Sequence, residues 1–117
     1  MTPTEKEQLQ AMYARHDYRC FVCKAKATQR AHIVGRTRSN IKHYGNKIIN
    51  HPFNWMPACS LACNALLDAG NNLQMKETVA SIILNTALHP ETQRAMIEQA
   101  VKINVARKQD KIYGREP

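Results

Sequence analysis

Residues 51–68 read HPFNWMPACSLACNALLD, and this stretch decides what the chain can build. Two cysteines, Cys59 and Cys63, stand with three residues between them. Asn54 precedes the pair, Asn64 follows it directly, and Asp68 closes the run. Thiolate, amide and carboxylate groups at this density indicate a metal-binding segment, which is either purely structural or part of a reactive site.

The remaining two cysteines lie upstream as Cys20-x-x-Cys23, so all four fall into two close pairs. Two such pairs separated by about one subdomain predict a closed tetrahedral sulfur site, which is typical of structural zinc. Disulfides would need an oxidising compartment, and a redox CxxC motif would leave the second pair unexplained. In a chain of 117 residues, metal binding at such a site would supply a large part of the folding free energy.

The positive charge is concentrated in one half of the chain. The net charge is +8 and the isoelectric point is near 9.6. Residues 18–76 contain nine lysines and arginines but one acid, Asp68, whereas the rest of the chain carries eight bases and eight acids. A basic half joined to a neutral half predicts a polyanionic partner, most simply nucleic acid. The alternative is a basic surface that only keeps the protein in solution.

The N-terminal sequence MTPTEKEQLQ has no apolar region behind a basic start, so we expect no secretory signal. Charged residues interrupt every apolar segment, and we therefore expect no membrane partner. A cytoplasmic, reducing location follows as the default expectation.

The pattern of the chain predicts a small α+β protein with a single domain over residues 1–117. A helix is expected over residues 2–16, with Thr2 as N-cap, Pro3 at the first position and Glu5 completing a capping box. We then expect a strand, the CxxC knuckle and a second strand that ends near His32. For residues 35–54 we expect a long basic loop with a short strand at 47–49.

The sequence pattern of the second half of the chain predicts helices. A short helix over residues 59–69 should be stopped by the Gly-Asn-Asn cluster at 70–72. Residues 73–110 predict a C-terminal helical extension of two amphipathic helices, broken at His89-Pro90-Glu91. The last ten residues are expected to fray.

Three polar residues of the basic half have the chemistry of a hydrolytic site. Asn64 and Asp68 are four apart in the predicted helix, so they would share a face and offer oxygen ligands to Mg²⁺ or Mn²⁺. His32 would end a strand and can accept a proton from water at neutral pH. Alternatively, Asn64 is a helix cap, Asp68 a solvated helix residue and His32 a surface histidine.

The segments CFVC, AHI and HPFNWMPACSLACN, taken in this order, resemble the zinc-stapled HNH nucleases. The resemblance covers about residues 18–70 and implies a treble-clef-like ββα-metal core, which we place at residues 18–72. The loop sequence HYGNKIINHPFN also looks like phage and prophage members of that group. A cytoplasmic protein of a bacterial host cell, possibly phage-encoded, is the corresponding expectation.

The resemblance also implies roles for individual residues. His32 matches the general base, and Asn54 the central asparagine that aims it. Asn64 takes the third motif position as a ligand of the catalytic ion, which makes this an HNN variant, and Asp68 matches a further ligand of some members. The implied activity is hydrolysis of DNA by one Mg²⁺ or Mn²⁺, leaving 5′-phosphate and 3′-hydroxyl ends.

Two positions depart from the family pattern. Ala31 stands where many members place a metal-binding acid or histidine. His51 is the first candidate to fill that gap and His43 the second, although either could contact phosphate instead. The CxxxC spacing of the second cysteine pair, where CxxC is commoner, also shifts Asn64 by one residue relative to Asn54.

Basic side chains around His32 are expected to bind the phosphate backbone; they are Arg30, Arg36, Arg38, Lys42, His43 and Lys47. Trp55 is expected in the core beneath the site, with stacking on a base as the alternative. The C-terminal helices could complete the core, form a homodimer or dock a partner such as a phage packaging complex. Two other functions stay open, a zinc-dependent nucleic-acid-binding module without catalysis and a structural assembly factor.

Overall fold

Six α-helices and one two-stranded antiparallel sheet make up residues 3–114, the part of the chain that the computed structural model describes. A 3₁₀ turn, Pro52–Asn54, precedes the second strand. The elements are, in chain order, α1 (Glu5–Arg15), β1 (Gln29–His32), α2 (Arg38–Tyr44), α3 (Asn46–Ile49), β2 (Trp55–Ala58), α4 (Leu61–Leu67), α5 (Leu73–Leu84) and α6 (Pro90–Ile112). The predicted α+β class is confirmed.

Helix α1 begins later than the sequence predicts. Thr4 is its N-cap, and the Thr4 hydroxyl accepts a hydrogen bond from the backbone N–H of Glu7 at 3.1 Å. The predicted capping by Thr2 lies outside the described residues. The predicted capping box is wrong, because Glu5 is the first helical residue and its carboxylate accepts from Arg30 Nη1 at 2.8 Å.

The sheet pairs β1 with β2, and its register decides which side chains share a face. Ala31 lies opposite Met56 and His32 opposite Trp55. Because side chains alternate along a strand, Arg30 and His32 lie on the face opposite Ala31. The predicted strand before the knuckle is wrong, since that segment makes only an isolated bridge between Arg19 and Lys26.

The sequence pattern does not predict strand β2, because the strand is four residues long and contains Pro57. A proline is tolerated there since every strand of a two-stranded sheet is an edge strand. The carbonyl of Pro57 still accepts a hydrogen bond from the N–H of Phe21 at 2.9 Å, so β2 also anchors the first cysteine knuckle.

The segment 35–54 is not an open loop, and the predicted strand at 47–49 is wrong. It folds into α2, α3 and the 3₁₀ turn. Thr37 caps α2 through a bond from the N–H of Asn40, and Gly45 separates the two helices at a φ of 85°. Ile48 and Ile49 are both buried, which one helical turn achieves by placing adjacent side chains against the core.

The C-terminal helices pack on each other and on the rest of the chain. Helix α5 contacts α6, and α6 contacts α4. His89 caps α6 and Pro90 opens it, so the predicted break is confirmed. Helix α6 continues to Ile112, and the expected fraying is wrong up to that residue. Within residues 3–114, every helix is too short or too polar to cross a bilayer.

Candidate active site and metal centre

The four cysteines converge on one point, with every pair of sulfur atoms within 4.8 Å. Cys23 Sγ lies 3.3 Å from Cys59 Sγ, which in turn lies 3.7 Å from Cys63 Sγ. A tetrahedral zinc site with Zn–S bonds of about 2.3 Å places its sulfurs about 3.8 Å apart. The cluster therefore fits a structural metal ion such as zinc, in agreement with the sequence prediction.

The backbone around Cys20 favours ionisation of that thiol. Lys24, directly after Cys23, has a φ of 68° and donates its N–H to the carbonyl of Cys20 at 3.0 Å. Burial opposes ionisation of the Cys20 thiol, but hydrogen bonds from the backbone at Cys23 and Val22 lower its pKa to about 7. N–H groups directed at sulfur are what a metal-binding thiolate requires.

The side chain of Asn54 holds two parts of the site together. It is 0% exposed. Its Oδ1 accepts from the N–H of Val34 at 2.8 Å, and its Nδ2 donates to the carbonyls of Val34 and Ile49, each at 3.0 Å. The backbone carbonyl of Asn54 also accepts from the N–H of Ile33 at 2.9 Å. The chain immediately after His32 is thereby locked to the segment before β2.

His32, at the end of β1, is half-buried on the face of the sheet that carries Arg30. Burial is the main cause that lowers its pKa to about 4. The positive charges of Arg30 and Arg36 act in the same direction, while Asp68 and Glu5 oppose them. His32 is therefore neutral at pH 7, the state in which an imidazole can accept a proton.

The side chain of Asn64 contacts the start of β1. Its Nδ2 donates to Oε1 of Gln29 at 3.2 Å. Ala31 lies two residues after Gln29 on the same face and is 0% exposed. No ligand atom therefore comes from position 31, as the sequence indicated, and Gln29 supplies the polar contact to Asn64 from the strand.

Asp68 terminates α4 instead of continuing it, so the prediction that it lies in the same helix as Asn64 is wrong. Its backbone is extended, with φ −69° and ψ 130°. Its Oδ1 accepts from the N–H of Gly70 at 2.7 Å. A Cβ at position 35 would come within 3.3 Å of Oδ2, so Gly35 lets the segment after β1 pass close to this carboxylate. Asp68 thus lies beside the segment that follows His32.

His51 and His43, the candidates for the missing ligand, have other partners. Nδ1 of His51 accepts from the N–H of Phe53 at 3.1 Å and caps the 3₁₀ turn. Nε2 of His43 lies 3.5 Å from the carboxylate of Glu77 on α5. Within residues 3–114, the cysteines are the only group of three or more His, Cys, Asp or Glu side chains whose ligand atoms come together.

The predicted phosphate-binding residues lie on β1, in the segment after it and on two short helices. Arg30 and Arg36 lie close enough to His32 to influence its pKa. Arg30 is 2.8 Å from the carboxylate of Glu5, and its guanidinium lies over the Trp55 ring at 4.6 Å. The others are exposed on the two short helices; they are Arg38, Lys42 and His43 on α2 and Lys47 on α3.

Three further residues contact the site from distant parts of the sequence. Gln29 holds Asn64, as described. Glu5 of α1 pairs with Arg30, whose guanidinium lowers the pKa of the Glu5 carboxyl. Lys108 of α6 donates to the carbonyl of Ala65 at 2.9 Å and to that of Asp68, and so caps the C-terminal end of α4. Their sequence context alone does not distinguish them from other charged or amide residues on the surface.

No protein-family model matches the chain, and searches of curated proteins and of solved structures likewise find no match.

Proposed function

We propose that the chain is a metal-dependent DNA endonuclease of the HNH type, with a zinc-stapled ββα-metal core and an HNN set of site residues. The observation that carries the proposal is the buried Asn54 amide. Its three side-chain hydrogen bonds fix the backbone two residues after His32, and they use both the donor and the acceptor of the amide. Such a clamp is what a catalytic imidazole at the end of a short strand needs for orientation.

The order of elements supports the same proposal. Strands β1 and β2 are followed by α4, and α4 contacts both of them. Cysteines from the knuckle before β1 and from the start of α4 meet in one cluster. We infer that the ion held there is zinc and that it is structural, because all four of its positions would be filled by protein sulfur.

The proposed reaction is hydrolysis of a phosphodiester bond. A divalent ion such as Mg²⁺ or Mn²⁺, bound with the help of the Asn64 and Asp68 oxygens, would supply Lewis-acid stabilisation of the phosphate. Neutral His32 accepts a proton from the attacking water, whose oxygen bonds to phosphorus as the bond to the 3′ oxygen breaks. The 3′ oxygen is then protonated from solvent, which leaves 5′-phosphate and 3′-hydroxyl ends.

A second candidate, a zinc-dependent nucleic-acid-binding module without catalysis, is favoured by one observation. Ala31 is fully buried and offers no ligand, so a catalytic ion would have few protein ligands from the strand. This candidate retains the cysteine cluster and the basic surface, and it assigns Asn54 a purely structural role.

Cleavage of supercoiled plasmid with Mg²⁺ or Mn²⁺ separates the two candidates. We expect relaxation by the native protein and at least a hundredfold slower relaxation by His32→Ala, because general-base catalysis contributes about 10²–10⁴-fold. His89→Ala, which alters a histidine at the start of α6, is the matched control. Zinc content must be equal in all three proteins. Tight, salt-sensitive DNA binding without cleavage under either metal would establish the binding module instead.

A further inference from the structure

A groove runs along the surface between α5 and α6. Its lining is mostly apolar and comes from the edge of α5 and the exposed side of α6; it includes Ile82, Ala95, Met96, Gln99, Ala100 and Ile103. Met96 and Ile103 are 44% and 47% exposed, so the packing of α5 on α6 leaves them uncovered. Apolar side chains that are exposed next to one another indicate a docking surface.

The groove continues towards the C-terminal end of α6. A second hollow, which Arg107 lines, shares Thr78, Ala100 and Ile103 with the first. The two together are called the α5–α6 groove. It has the carboxylate of Glu91 at one end and the guanidinium of Arg107 at the other, sixteen residues along α6. That separation corresponds to about 24 Å of helix.

The exposed side of α6 repeats with the spacing of a coiled-coil seam. Exposed residues follow one another at alternating intervals of four and three positions; they are Thr92, Met96, Gln99, Ile103 and Ala106. A repeat of 3.5 residues keeps such a stripe in contact with a partner helix along its length. At 3.6 residues per turn, the buried residues of α6 lie on the opposite side of the helix, so the stripe is not used by the core of this chain.

The stripe complements a second copy of itself when the two α6 helices run antiparallel. With Gln99 on the two-fold axis, residues equally far before and after Gln99 meet, as in every isologous contact. Met96 lies three positions before Gln99 and Ile103 four positions after it, so each Met96 packs beside Ile103 of the other copy. Glu91 and Arg107 each lie eight positions from Gln99, so the acidic end of one groove meets the basic end of the other.

The polar groups of the stripe favour this direction and register. A parallel pair would place Glu91 beside Glu91 and Arg107 beside Arg107, and such like-charge contacts are repulsive. The amide of Gln99 both donates and accepts, so two copies can bond to each other across the axis, and a polar residue within an apolar seam fixes its register. The side chain of Glu91 is 55% exposed although it already contacts Arg15, so a further guanidinium can reach it.

We propose that the α5–α6 groove is the contact surface of a homodimer, in which α6 packs antiparallel on α6 of a second copy. A groove about 24 Å long and about 20 Å wide, the width of two packed helices, presents on the order of 500 Å² per copy. The total of about 1,000 Å² lies at the lower end of specific interfaces. We therefore expect a weak dimer, with a dissociation constant on the order of 10–100 µM.

Sedimentation equilibrium of the zinc-loaded full chain, from tenfold below to tenfold above this dissociation constant, measures the dimerisation. Ile103→Lys places a charge in the middle of the contact and should weaken the dimer at least tenfold, because a buried charge without a partner is costly. Leu84→Lys is the matched control. Leu84 is 67% exposed at the end of α5, outside the groove, so this variant should dimerise like the native chain.

The charges at the two ends of the groove test the antiparallel direction. Arg107→Glu brings a second carboxylate to Glu91 of the other copy and should weaken the dimer about three- to tenfold, as should Glu91→Arg. An equimolar mixture of these two variants has an opposite-charge contact at both ends, so it should dimerise more tightly than either variant alone. Lys111→Glu makes the same change of charge beyond the end of the groove and should have little effect.

Three results would overturn the proposal. A native chain that stays monomeric at the highest concentration would leave the groove to a helix of another protein. Equal dimerisation of Ile103→Lys and Leu84→Lys, both with native circular dichroism, would place the contact elsewhere. A dimer that Arg107→Glu does not weaken would refute the antiparallel arrangement. None of these measurements involves DNA or a catalytic ion, so their outcome is independent of whether the chain cleaves plasmid.

Discussion

Replacing Asn54 by alanine tests the feature on which the proposed site depends most. The substitution removes three hydrogen bonds of 2.8, 3.0 and 3.0 Å and leaves the N–H and carbonyl of Val34 and the carbonyl of Ile49 without that partner. Each buried, unsatisfied polar group costs about 1–3 kcal/mol, and the three effects are not fully additive. We expect Asn54→Ala to lower the free energy of unfolding by about 3–5 kcal/mol.

Asn54→Asp keeps the shape of the side chain but replaces the amide donor, so it tests the role of the Nδ2 donor apart from that of the Oδ1 acceptor. A carboxylate can still accept from the N–H of Val34, but it cannot donate to the two carbonyls. Burial beside those carbonyls raises the folded-state pKa of the new carboxyl above its unfolded value. The unfolded state then releases its proton first as pH rises, so the stability deficit relative to native protein should grow between about pH 4 and pH 7.

Urea unfolding at several pH values, with zinc present, measures both effects. Asn50 is exposed just after α3, and Asn50→Ala should change stability by less than about 0.5 kcal/mol. A loss below about 1 kcal/mol for Asn54→Ala would contradict the clamp. So would a deficit for Asn54→Asp that is the same at pH 4 and pH 7, because the missing donor would then be unimportant.

Three other predictions concern the metal, the base and the helical extension. Cys59→Ser should lose zinc and unfold the chain, and a folded, zinc-free variant by atomic absorption and circular dichroism would contradict the metal assignment. With its pKa near 4, His32 stays neutral well below pH 6.5, so the acid limb of kcat/KM should fall near pH 4. In the unfolded state His32 binds its proton at a higher pH than in the folded state. The free energy of unfolding should therefore decline as the pH falls from 6.5 towards 4. Lys108→Met should cost about 1–3 kcal/mol by removing the cap of α4, whereas the exposed Lys111→Met should cost little; equal melting temperatures for the two variants would refute the cap.

The best predicted features depend on residues close in sequence. Cys20 and Cys23 lie in one turn with two residues between them, and Cys59 and Cys63 are four residues apart, about one helical turn. This spacing alone indicates that each pair can bind one metal ion. The final pair of helices follows in the same way from apolar periodicity and from the break at Pro90. Both features are local, and tertiary contacts did not alter them.

The errors fall where tertiary contacts overrule local pattern. β2 contains Pro57 and is only four residues long, so its own sequence argues against a strand until β1 pairs with it. The sequence pattern at Ile48 and Ile49 predicts a short strand, but burial of both side chains favours a helical turn against the core. The local sequence predicts a longer helix that includes Asp68, whereas the chain turns at this residue so that the N–H of Ala69 can bond to the carbonyl of Ile33 at 2.7 Å.

By itself, the sequence determined the class of fold, the two cysteine pairs that could share a metal ion and the identity of the polar residues that form the candidate site. Only the tertiary structure decided how those residues are held. Asn54 is bonded 20 residues away to Val34, Asn64 is bonded 35 residues away to Gln29, and Lys108 lies against α4 from 43 residues beyond Ala65. Contacts at such separations form only when the whole chain has packed, so no short stretch of residues contains them.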